Sequence, residues 1–75
     1  RITKIACGWS HNGTLTSDGQ LFMWGRGNFG QLGQGFRADS TSPVRVSLPE
    51  VLQDVVCGSE HTLVLTASGV VYSFG

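Results

Sequence analysis

Apolar positions in this chain come in short runs separated by glycines and polar turns. Ile2 to Cys7 is rich in β-branched residues and suits a strand, as does Val55 to Cys57. His11 to Thr16 and Leu21 to Trp24 form a predicted pair around Asp18-Gly19, a strong hairpin dipeptide because glycine accepts positive φ without steric cost. His61 to Thr66 and Val70 to Phe74 form another pair about Ser68-Gly69. Between the pairs, Pro43-Val44-Arg45-Val46-Ser47-Leu48 alternates apolar and polar side chains, with the proline at its start, where a missing N–H is tolerated. The segment Arg26 to Gly35 is too rich in glycine for a helix. The pattern predicts an all-β fold.

A two-residue loop at Asp18-Gly19 would set Leu15 opposite Phe22 and Gly13 opposite Trp24. The second hairpin would then pair Leu65 with Tyr72 and Leu63 with Phe74. Trp beside Gly and Phe beside Leu conserve volume in a packed layer. A three-residue loop with a glycine bulge shifts this register.

The two hairpins are copies. Cys7, Gly8, His11, Leu15, Thr16, Gly19 and Gly25 recur fifty positions later as Cys57, Gly58, His61, Leu65, Thr66, Gly69 and Gly75. Asn12-Gly13 is a turn dipeptide, but its counterpart Thr62-Leu63 has no turn chemistry, so both stretches read as strand. A period of this length marks stacked supersecondary units, each with an apolar face it cannot bury alone. Residues 1–50 form one full period and 51–75 the first half of the next, with about four strands per period, the content of a propeller blade. Because the chain starts at Arg1 and stops inside a repeated motif at Gly75, we expect it to be a segment of a longer protein.

Five basic and five acidic residues cancel, so this segment lacks the basic stripe that dominates nucleic-acid affinity. No run approaches the ~20 apolar residues of a membrane span. Two cysteines fifty residues apart, each inside a strand-like run, read as buried free thiols, which suits an intracellular, reducing setting, cytoplasmic or nuclear.

Trp24-Gly25-Arg26-Gly27-Asn28-Phe29-Gly30-Gln31-Leu32-Gly33 resembles the signature loop of the regulator of chromosome condensation family. Cys7-Gly8-Trp9-Ser10-His11, Leu15-Thr16-Ser17-Asp18-Gly19 and Leu21-Phe22-Met23-Trp24-Gly25 resemble the rest of its repeat. The Gly-Gly doublet of kelch repeats and the Trp-Asp dipeptide of WD repeats are both missing. The resemblance implies a seven-bladed β-propeller with four-stranded blades, of which this chain supplies about one and a half. It also implies a protein-binding scaffold or, alternatively, a guanine-nucleotide exchange factor acting on a Ran-type or related small GTPase. Either way the expected partner is a protein.

Gly25-x-Gly27-x-x-Gly30 matches the dinucleotide-binding fingerprint, but Gln31-Leu32-Gly33-Gln34-Gly35 opens no helix to hold a pyrophosphate, so Gly25, Gly27, Gly30 and Gly33 read as structural turns. Cys7, His11, Cys57 and His61 suit zinc by type, yet neighbouring sheets packed ~10 Å apart would not bring four ligands to one point. They read instead as repeat positions whose histidines tie strand ends to backbone groups. Ser10 and Ser59 near histidines lack a third partner for catalysis. No cofactor, metal or catalytic set is therefore expected here. The candidate partner contacts are Trp9, which the repeat does not require because its counterpart is Ser59, and Arg26, which follows the hairpin directly.

Overall fold

A computed structural model describes residues 1–75 as seven strands: β1 (Ile2–Cys7), β2 (His11–Thr16), β3 (Leu21–Gly25), β4 (Ser40–Val46), β5 (Leu52–Cys57), β6 (Thr62–Thr66) and β7 (Val71–Phe74). They form two antiparallel sheets, one ordered β1-β2-β3-β4 and the other β5-β6-β7. No helix is long and apolar enough to cross a membrane.

Each hairpin closes with a three-residue loop, which corrects the register expected for a two-residue one. Thr16 N–H donates to Gln20 O at 2.9 Å, and Gly19 N–H turns back to Thr16 O at 3.0 Å with φ of 80° at Gly19. This is a type I turn followed by a left-handed glycine, the three-residue alternative that the same dipeptide permits. Leu15 therefore faces Leu21, Thr14 faces Phe22, Gly13 faces Met23 and Asn12 faces Trp24. The second hairpin repeats the geometry, with Leu65 opposite Val71, Val64 opposite Tyr72, Leu63 opposite Ser73 and Thr62 opposite Phe74. The exchange of volume between copies is real but lies one residue over. Gly13 with Met23 in one copy becomes Leu63 with Ser73 in the other, and a methyl on Gly13 would press the Met23 sulfur.

Asn12-Gly13 lies within β2, as its counterpart implies. β4 begins at Ser40 and ends at Val46, so Pro43 sits inside a strand rather than at its start. That is possible because β4 is an edge strand, where a missing N–H breaks no ladder bond on the open side.

The sheets pack face to face. Leu15, Leu21, Met23, Leu32 and Val46 from the first period meet Leu52, Val55 and Val64 of the second in one buried cluster. Removing such side chains from water stabilises by about 1.5–3 kcal/mol each, which makes the seam the principal source of order between the two units. Lys4 Nζ and Asp54 Oδ1 add an ion pair at 2.8 Å across β1 and β5. The Lys4 ammonium, with help from the Val55 N–H, holds the Asp54 carboxyl below its ordinary pKa.

Candidate functional site

The turn between β1 and β2 and the long connection from β3 to β4 leave the first sheet at the same end. Arg26 N–H donates to Ser10 O at 2.8 Å, which fastens the two loops together and sets Trp9 and Arg26 close in space. Trp9 is 89% exposed, the largest value among the chain's big apolar side chains. Phe29 and Phe36 on the same long connection are exposed as well. Asp39, the nearest carboxylate along the connection, accepts Gly27 N–H at 2.8 Å. The end thus presents aromatic surface and guanidinium charge on a loop framework held by backbone bonds.

The glycine-rich segment has a different task. Gly25, Gly30 and Gly33 adopt φ of 109°, 81° and 69°, and Gly27, without positive φ, lies against the Ala38 carbonyl. Gly30 N–H bonds Gly27 O and Gly33 N–H bonds Gly30 O, so the chain descends in consecutive turns rather than opening a helix. These turns carry Gln31 and Leu32 into the seam. Leu32 joins the shared core, and Gln31 O accepts the Thr62 hydroxyl at 2.7 Å. The connection leaving the first sheet therefore clamps the second. Gln34 Nε2 ties it back to Arg45 O of β4 at 3.1 Å.

His11 completes the clamp. Its ring is fully buried, with Nε2 at 3.0 Å from Thr62 Oγ1 and 3.1 Å from His61 O. Burial lowers its pKa from the ordinary histidine value. His61, the equivalent residue, is exposed. Cys7 is exposed and Cys57 half-buried, and both are free. The expectation of two buried thiols thus fails at Cys7, because the outward face of β1 has no sheet against it. Burial pushes the Cys57 thiol upward, away from reactivity, and the nearby Cys7 adds to the effect. The uniform sheet spacing assumed from sequence also fails here: a methyl on Gly8 would overlap the Gly58 carbonyl, so the sheets converge at this end.

Neither Gln31 nor Thr62 stood out in the sequence. The available signal was Leu32, the one leucine of the glycine-rich connection, which docks in the core while Phe29 and Phe36 of the same connection stay exposed. At the opposite end of the sheets, an open cleft of about 220 Å³ lies between the β2–β3 turn and the β4–β5 connection, with Asp18, Arg45 and Glu50 at its lining.

A sequence profile described as "Regulator of chromosome condensation (RCC1) repeat" matches residues 18–65, and a second of the same description matches residues 2–31. The chain belongs to the regulator of chromosome condensation repeat family. Ultraviolet-B receptor UVR8 of Arabidopsis thaliana is 46% identical over 77 residues, taking in 99% of this chain and 17% of the receptor. Human E3 ubiquitin-protein ligase HERC2 is 41% identical over 78 residues, or 99% of this chain and 2% of the ligase. The crystal structure of human WBSCR16 superposes with a TM-score of 0.83 at 41% identity, covering 88% of this chain and 17% of that one. Yeast RCC1 (Prp20), solved bound to Kap60, gives 0.81 at 36% identity over 96% of this chain and 17% of that one. The RCC1-repeat chain spans under a fifth of each of these proteins. Its two sheets are blades of a β-propeller.

Proposed function

We propose that this RCC1-repeat segment is part of a propeller scaffold that recognises a protein partner through the loop end of its first blade. Residues 1–50 supply one full repeat and 51–75 the first half of the next. The observation that carries the reading is Trp9, an 89%-exposed indole at a position the repeat does not require, joined through Ser10 to Arg26. Exposed Trp and Arg are the residue types that most often dominate protein-binding energy. The segment needs no cofactor and no catalytic step for this role. Its balanced charge gives nucleic acid little purchase, and its two free thiols suit an intracellular setting, cytoplasmic or nuclear.

Guanine-nucleotide exchange on a Ran-type or related small GTPase is the second reading. It is favoured by a relative whose own description names a GTPase, the dog X-linked retinitis pigmentosa GTPase regulator, 39% identical; yeast Prp20p is described with its binding to Gsp1p and histones. In the full-length parent protein, Trp9→Ala or Arg26→Ala should weaken partner capture by about 1–2 kcal/mol while leaving the melting temperature nearly intact. Unchanged capture with a large loss of stability would make Trp9 a structural residue. Labelled GDP release from a panel of small GTPases separates the two readings, since strong acceleration by the parent protein would favour exchange.

A further inference from the structure

The seam between the blades poses a hydrogen-bond problem with one solution. Thr62 Oγ1 has a single proton, and it goes to the Gln31 carbonyl at 2.7 Å. The hydroxyl therefore meets His11 Nε2, 3.0 Å away, as an acceptor. His61 O, 3.1 Å from the same nitrogen, can only accept. Both contacts demand a proton on Nε2. In a neutral imidazole the other nitrogen is then bare, and Nδ1 is indeed buried without a partner. A second proton would have to enter at Nδ1, inside a fully buried ring crowded by Gly8, with no acceptor to receive it.

We propose that His11 is a proton-sensitive latch between blades, closed by the neutral Nε2–H tautomer and released when acid protonates Nδ1. The groups packed around the ring supply no compensating negative charge. Gly8 comes from the β1–β2 turn and Thr62 from β6, while His61 contributes a backbone carbonyl that favours the His11 proton less strongly than burial opposes it, and a titratable ring that, when charged, opposes it further. The direction of the effect follows from proton linkage. Burial depresses the His11 pKa in the closed seam, whereas an opened ring titrates near ~6.5. The open state then binds more protons as pH falls below ~6.5, so the latch holds fully above that value and weakens toward the depressed one. Within this window each pH unit raises the opening equilibrium by up to about tenfold.

The test uses the full-length parent protein with His11→Gln, whose amide keeps a donor near the Nε2 position but cannot titrate, and with His11→Phe, which has no donor. Hydrogen exchange at peptides spanning Gln31 and Thr62 is followed from about pH 7.5 to about pH 5.5, corrected for the intrinsic pH dependence of exchange. The wild-type seam should open several-fold to tenfold more at the acid end, His11→Gln should show a flat profile, and His11→Phe should be open and flat. Matching profiles for wild type and His11→Gln would overturn the latch. If His11→Gln does not fold, ¹⁵N spectra of the wild-type ring decide alone. A neutral proton on Nδ1, or titration at or above ~6.5, contradicts the proposal, and an Nε2 proton with depressed titration supports it.

Discussion

The two copies of the repeat carry matching residues and, Thr14 and Val64 apart, bury opposite faces. In the first, His11, Gly13, Leu15, Leu21 and Met23 are buried, while Ile2 and Ile5 are open to water. In the second, Leu52, Val55, Thr62, Val64 and Thr66 are buried, while His61, Leu63 and Val71 are open. Leu21 is 0% exposed and its counterpart Val71 is 62%; Ile5 is 66% exposed and its counterpart Val55 is 2%. Nothing in the side chains themselves explains this reversal. The first copy has a neighbour on one side and the second has it on the other, so burial belongs to the seam rather than to the repeat. Each sheet leaves a second face open to water, with Ile2 and Ile5 on the first and Leu63 and Val71 on the second.

The largest test of that comparison sets Leu21 against Val71 in the parent protein. Leu21→Ala should lower the free energy of unfolding by about 2–5 kcal/mol, read by urea denaturation. Val71→Asp should cost about 3–5 kcal/mol, because a following blade would bury the carboxylate without a partner. A change in Val71→Asp of less than ~0.5 kcal/mol would mean that this face stays in water.

A smaller effect is expected where the blades come closest. A methyl at either glycine would press the histidine ring of its own repeat, His11 for Gly8 and His61 for Gly58, but only at Gly8 does it also meet the backbone carbonyl of the other blade, at Gly58. Gly8→Ala should therefore cost about 1–3 kcal/mol through overpacking. If the seam recurs beyond the second sheet, Gly58→Ala in the parent protein costs about as much; a negligible cost would show that the close approach belongs to the first pair of blades alone.

The strands, the hairpins and the repeat were legible because each rests on local chemistry: β-branched runs, a glycine that turns the chain, and identical letters at a fixed spacing. The register was not. Asp18-Gly19 serves two-residue and three-residue loops equally well, and the choice between them lies in backbone geometry rather than in residue type. The outward turn of Cys7 was hidden for another reason: a strand with apolar residues on both faces does not announce which face has a neighbour. Trp9 could be singled out because its counterpart is Ser59, and Arg26 because it follows the hairpin directly at a position the visible repeat does not fix. The clamp was less visible, since Gln31 and Thr62 are polar residues whose burial depends on contacts between separate units.

The smallest effect should come from Lys4 and Asp54. Their side chains are 49% and 38% exposed, so Lys4→Ala should cost only about 0–1 kcal/mol. The sign with pH is fixed by the lowered carboxyl pKa. The pair's contribution is present above the ordinary aspartate value of ~3.9 and fades as pH falls through the lower folded value. The stability difference between wild type and Lys4→Ala should thus shrink in strong acid and in high salt. A cost well above 1 kcal/mol would transfer part of the seam's strength from apolar contact to charge.

Thermal unfolding of the isolated 75-residue segment, followed by circular dichroism with its mass in solution measured in parallel, tests most directly whether burial resides in seams between blades. With one seam formed and two faces uncovered, the monomer should melt broadly or show little folded signal, while the parent protein melts in a sharp transition. A sharp cooperative transition in the monomeric segment would contradict the account.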